Sequence, residues 1–194
     1  MVNAANAPQA STVGATAGAL DATQRQQQAG RDALAQAQGL WNNGNKDAAI
    51  ELLRQATSAQ ERNQSGNPSP AGRALLLSLV RELTRMELAD GRPAAALDVL
   101  ARQDGLTASE PELLAVRANA AQRMGRHQES INAYRAALQL RPTEQRWLLG
   151  AAVSMAALGQ TAAATDMAER ARQVGPISRE VLAYLRQAGV TVRD

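Results

Sequence analysis

The chain has 194 residues, 45% of them hydrophobic, with a formal net charge of +3 and a sequence pI near 10.1, which gives room for one domain with a core of its own. Phenylalanine and cysteine are absent and only two Trp and two Tyr occur, so disulfides and thiolate metal sites are excluded. Much of the apolar fraction is alanine, which suits closely packed helices, and the arginines are spread over many segments, as on a solvated surface rather than a nucleic-acid footprint.

Met1 to Gln24 is alanine, threonine, glycine and asparagine without periodicity, and is expected to be a disordered tail or linker. It shows no basic segment followed by an apolar stretch, hence no visible signal peptide. The longest apolar runs, such as Ala74 to Leu77, fall far short of the roughly 20 residues that span a bilayer. From residue 25 onward the pattern turns helical. "ALAQAQGLWNNGNKDAAIELLRQA" reads as two helices around Gly44. "NQSGNPSPAG", Asn63 to Gly72, is a cluster of turn and breaker residues and is expected to be an inserted loop. Gly91 then follows a helical stretch, with Pro93 where a second helix should start. "SEPE" offers Ser109 as an N-cap with Glu112 three residues on, a capping box that tolerates Pro111 in the first turn. "GRHQESINAYRAALQLRP", Gly125 to Pro142, carries one tyrosine among alanines between a glycine and a proline. After Pro176, "ISREVLAYLRQAGV" predicts a last amphipathic helix whose Val181, Leu182 and Leu185 cover the apolar end of the array.

Gly91, Gly125 and Gly159 stand 34 residues apart, and so do Pro142 and Pro176. A helix-turn-helix period of that length is the tetratricopeptide signature. With each glycine as the fifteenth position, the eighth is Thr84, Ala118 and Ala152 and the twentieth is Ala96, Ser130 and Ala164. The twenty-seventh is Ala137 and Ala171 in the last two copies. Small side chains at such sites let paired helices interlock at short distance. Gly44 extends the rule backward to Ala37, Ala49 and Ala56, but it precedes Gly91 by 47 residues, 13 more than the period; the Asn63 to Gly72 insert absorbs that surplus. The sequence therefore resembles the tetratricopeptide repeat (TPR) family. The expected fold is all-α, a TPR-type α-solenoid of about four helix-turn-helix repeats plus a C-terminal capping helix. The predicted boundaries are a tail over 1–24 and a TPR domain over 25–194, with repeats at about 30–62, 77–110, 111–144 and 145–177 and the cap at 178–190.

No catalytic constellation emerges. His127 is the only histidine, it falls in the turn between two helices, and the acidic residues are scattered. None of the glycines forms a phosphate-cradling G-x-x-x-x-G-K motif. The expectation is a non-enzymatic protein without metal or cofactor.

The family resemblance implies binding on an inner surface lined by the first helix of each repeat, through the second, fifth, ninth, twelfth and thirteenth positions. Here these include Leu34, Gln38, Trp41 and Asn42 in the first repeat and Arg81, Arg85 and Leu88 in the second. The third supplies Asn119, Gln122 and Arg123, and the fourth Arg146, Leu149 and Val153. The arginines either solvate that surface or receive the carboxylates of an extended acidic peptide. The carboxylate clamp of chaperone-binding relatives is not reproduced, since Arg85 stands where its first asparagine is expected. A narrower likeness lies in "YRAALQLRPTEQRWLLGAAVSMAALGQTAAA", the later "ISREVLAYLRQAG" and the early "GLWNNGNKDAAIELLRQA". These resemble the MshN family of MSHA-type pilus biogenesis proteins, through the Arg146-Trp147 pair, Gly150 and the tyrosine-bearing final helix. That resemblance implies the periplasmic part of an inner-membrane adaptor in pilus or secretion machinery, partnered by another assembly component; the alternative is a cytoplasmic TPR scaffold or secretion chaperone. No nucleic-acid partner and no membrane insertion by this chain are expected.

Overall fold

The computed structural model describes residues 10 to 192, with side chains from residue 22 onward. Every described element is a helix, in the order α1 (Ala10–Asn42), α2 (Lys46–Gly66), α3 (Pro70–Ala89), α4 (Pro93–Arg102), α5 (Asp104–Thr107), α6 (Pro111–Arg123), α7 (His127–Leu140), α8 (Gln145–Ala157), α9 (Thr161–Val174) and α10 (Arg179–Gln187). The chain forms two compact units, Met1–Glu82 and Leu83–Asp194, with the boundary inside α3.

In the first unit, α1 packs along α2. Ala33, Ala37, Ala49, Ile50 and Leu53 of these two helices are buried, as are Leu75, Leu76, Leu79 and Val80 in the first half of α3. The approach is close enough that a Cβ on Gly30 would lie 2.8 Å from Leu75 Cδ2. Two expectations fail here. Part of the stretch expected as a tail is helix from Ala10 on; its many alanines carry little cost in a helix, and a helix already nucleated by packing extends one bond per residue. The rest of that stretch, residues 1–9, lies outside the described residues.

The expected loop at Asn63 to Gly72 shrinks to residues 67–69. The surplus of 13 residues has gone into helix instead: α2 has 21 residues where α7 and α9 have 14, and α3 has 20 where α6 and α8 have 13. Polar side chains from the end of α2 and from the link join the two lengthened helices. Gln60, 3% exposed, donates to the Gly72 carbonyl at 2.9 Å, and Ser69 Oγ accepts from the Gly72 amide at 3.1 Å. A Cβ on Gly72 would strike Gln64.

The second unit keeps the 34-residue register. Gly125 and Gly159 both sit at φ +71, a left-handed conformation that closes the first helix of a pair. At Gly125 the N–H of Arg126 reaches back to the Ala121 carbonyl at 2.9 Å, and at Gly159 that of Gln160 reaches Met155 at 2.9 Å, the six-to-one bond of a Schellman ending. Gly44, Gly91 and an unforeseen fifth, Gly189, share the positive φ. The small residues fall where the helices touch: Thr84, Ala118, Ala152, Ala96, Ser130, Ala164, Ala137 and Ala171 are all 0% exposed. Ala56, assigned to the same register in the first pair, is only half-buried.

Two details depart from the sequence reading. The N-cap of α6 is Glu110 rather than Ser109, with Pro111 as the first helical residue and no side-chain cap bond; proline at that position fixes where the helix starts. The second helix of the second repeat stops after Arg102, and α5 follows. Arg117 stabilises the break by donating to the Leu100 carbonyl at 3.1 Å while pairing with Asp104 at 2.6 Å. At the far end, Gln145 Nε2 lies within 3.1, 2.6 and 3.0 Å of the carbonyls of Ala171, Gly175 and Pro176 and so ties the start of α8 to the end of α9. Helix α10 is capped by Ser178, whose hydroxyl accepts from Val181 N. It packs on α8 with Leu185 fully buried, as expected of a cap.

Candidate functional site: a cleft on the first helices of the second unit

The end of α3, α6 and α8 border one cleft of about 350 Å³, whose back is formed by Tyr134 of α7. Leu88, Ala115, Val116 and Trp147 supply apolar walls, and Glu112, Asn119 and Arg146 supply polar groups. Tyr134 is 4% exposed. Burial pushes its phenol up from the ordinary tyrosine value, against the opposing pull of a hydrogen bond from Asn119 and the charge of Arg123. Glu112 pairs with Arg141 at 2.5 Å, both side chains being near half-exposed. Arg146 is exposed and, among the described residues, forms no hydrogen bond or ion pair.

Of the thirteen residues assigned to a binding surface, Leu88, Asn119 and Arg146 come together here. Arg123 stands beside them and donates to the Leu88 carbonyl at 2.7 Å. Arg85 is exposed on α3. Gln122 is drawn into the packing instead: its amide donates to the Gly150 carbonyl at 3.0 Å and to Ser154 Oγ at 2.9 Å, and Ser154 in turn meets Ser130 at 2.9 Å. That chain satisfies two hydroxyls that are 0% exposed. Leu149 and Val153 pack against the core and are half-buried, so the apolar anchoring comes from Leu88, Val116 and Trp147. In the first unit, Gln38, Asn42 and Arg81 are exposed, Leu34 and Trp41 are half-buried, and Lys46 lies 5.3 Å from the centre of the Trp41 ring.

The sequence reading missed Glu112, Ala115, Val116, Tyr134 and Trp147. The second and fifth positions of the third repeat would have delivered Glu112 and Ala115. Nothing in the periodicity signals that a second-helix tyrosine reaches between first helices. No cluster of three or more potential metal ligands exists among the described residues, and no described helix is long and apolar enough to cross a membrane.

Two models of the tetratricopeptide repeat match the sequence, over residues 111–144 and 34–63. The structure is similar to that of a MamA protein, with a TM-score of 0.70 at 15% identity over 82% of this chain and 80% of that one. A putative kinesin light chain from Podosopora anserina with nearly identical TPR-like repeats gives 0.61 at 22% identity, over 82% and 86%. The TPR2AB domain of yeast Sti1, solved in complex with pHSP90, gives 0.50 at 13% identity, over 81% and 84%. No curated protein matches, and neither the repeat models nor these structures carry the likeness to MshN. The fold is thus the all-helical TPR type, with two of the repeats recognised directly in the sequence.

Proposed function

We propose that the protein is a non-enzymatic adaptor that binds a segment of a partner protein on the first helices of its second unit. A TPR fold suggests a protein-interaction module, and the observation that carries the reading here is the cleft, where apolar walls adjoin the cation of Arg146, which has no partner among the described residues. Arg85 and Arg123 add exposed positive charge on the same set of first helices, which favours an acidic, extended segment. The Sti1 domain, whose structure is a complex with pHSP90, supports the general mode of binding.

The partner we propose is another component of pilus or secretion assembly, and the compartment the periplasm; the support is the likeness of the C-terminal third to MshN, at Arg146, Trp147, Gly150 and the final tyrosine-bearing helix. Capture of partners on the immobilised chain, with Arg85→Ala/Arg146→Ala as the comparison, tests the reading. Retention of a pilus or secretion component by the parent, lost in the variant and weakened by salt, is the expected result. Salt acts because the Debye length shortens to about 8 Å at physiological ionic strength. Equal retention by both chains at all salt concentrations contradicts it, and recovery of cytoplasmic clients alone favours a cytoplasmic scaffold or secretion chaperone.

A further inference from the structure

We infer that the cleft is a socket for a single apolar side chain carried beside an anionic group, and that Gly150 is the residue that keeps it open. The first half deepens the binding reading above and rests on it; the second concerns the shape of the protein alone. At about 350 Å³ the space lies at the low end of ligand sites, which run from about 300 to 1,000 Å³. It admits one side chain and its neighbours rather than a packed element. The walls of Leu88, Val116 and Trp147 are apolar. The charges at the mouth are not balanced: Glu112 is already neutralised by Arg141, whereas Arg146 meets no acceptor among the described residues. The occupant that fits is a peptide segment with an aliphatic or aromatic side chain next to a carboxylate.

Gly150 lies inside α8, where glycine is a poor choice on helix propensity. Its reason is Tyr134. A Cβ at position 150 would lie 2.3 to 2.6 Å from the ring and hydroxyl of that tyrosine. Because Tyr134 is buried, its ring has no slack on the core side; a methyl group at 150 drives it toward the cleft and fills the socket. Gly150 is therefore a positioning residue, acting through Tyr134.

The test uses Trp41→Phe, which leaves Trp147 as the sole tryptophan. The probe is 1-anilinonaphthalene-8-sulfonate, an apolar body with one anion, read by energy transfer from Trp147 and compared with its uncharged analogue N-phenyl-1-naphthylamine. Saturable binding of both is expected. Arg146→Glu should weaken the sulfonate by about tenfold and leave the neutral dye unchanged, as loss of a charge-assisted contact requires. Gly150→Ala should abolish binding of both dyes in a chain that remains helical, and adding Tyr134→Leu should restore it. Absence of saturable transfer in the parent, or dye binding in Gly150→Ala equal to the parent's, overturns the socket or its gate respectively. If Gly150→Ala does not fold, Arg146→Glu decides the anion site and Tyr134→Leu alone, which should enlarge the socket and tighten the neutral dye, decides the role of Tyr134. Since no partner protein is needed, dye binding without captured partners refutes only the adaptor reading, and captured partners without dye binding refute only the socket.

Discussion

The first helix pair and the last two follow one recipe with different outcomes. In α6 to α9 the helices run 13 or 14 residues, each first helix of a pair ends on a glycine in the left-handed region, and the small residues of the register are sealed. In α1 and α2 the same glycine turn is present at Gly44, but the helices run 33 and 21 residues, and Ala56, a register position, lines a pocket of about 280 Å³ together with Ala29 and Ala59. A small side chain is a device for close packing only where another helix closes on it; elsewhere it leaves a hollow. The turn sets the pairing, and the packing of a further helix decides which of the register positions become core.

The largest effect expected from this contrast is at those positions. Ala118→Leu or Ala152→Leu inserts bulk at a site that is 0% exposed and should cost about 1 to 3 kcal/mol, whereas Ala56→Leu, half-buried beside the hollow, should change stability by less than about 0.5 kcal/mol. Thermal or denaturant unfolding of the three variants measures it; equal losses would erase the distinction between the two pairs.

The next effect compares two glutamines. Gln145→Ala removes an amide shared by three carbonyls and should cost about 1 to 2 kcal/mol. Gln55, whose amide donates to Glu51 on an exposed helix face, should contribute only about 0.2 to 0.5 kcal/mol. Denaturant midpoints of Gln145→Ala and Gln55→Ala give the comparison, and it fails if the two are alike.

The smallest effect is a pH dependence confined to the second unit. The phenol of Tyr134 is raised above 10.0 by burial, so the unfolded chain releases the proton first. Its contribution to stability is complete below the unfolded value and is lost as pH rises through the folded one. Stability should decline above about pH 10, and Tyr134→Phe should flatten that decline. An unchanged slope in the variant would place the titrating group elsewhere.

How much of this was legible follows from the range of the interactions involved. The glycine turns and sealed small residues are local, repeated at a fixed spacing, and the sequence displays them. The span from Asn63 to Gly72 misled because breaker residues were judged by type. Gln60 and Ser69 satisfy Gly72 from neighbouring turns, and that makes a three-residue link sufficient. The break at Arg102 depends on Arg117, a residue 17 positions from the carbonyl it holds. The cleft was half legible: family positions gave Leu88, Asn119 and Arg146, while Tyr134 comes from a second helix and holds its place against Gly150, 16 residues away, where a Cβ would collide with its ring.

The central claim is that a partner engages the first helices of the second unit. A photoreactive side chain placed at position 88, in the cleft wall, and separately at position 98, exposed on the second helix α4, tests it directly. Adducts with the same partner from position 88 and none from position 98 are predicted; adducts from position 98 alone would contradict the account and move the functional surface to the second helices.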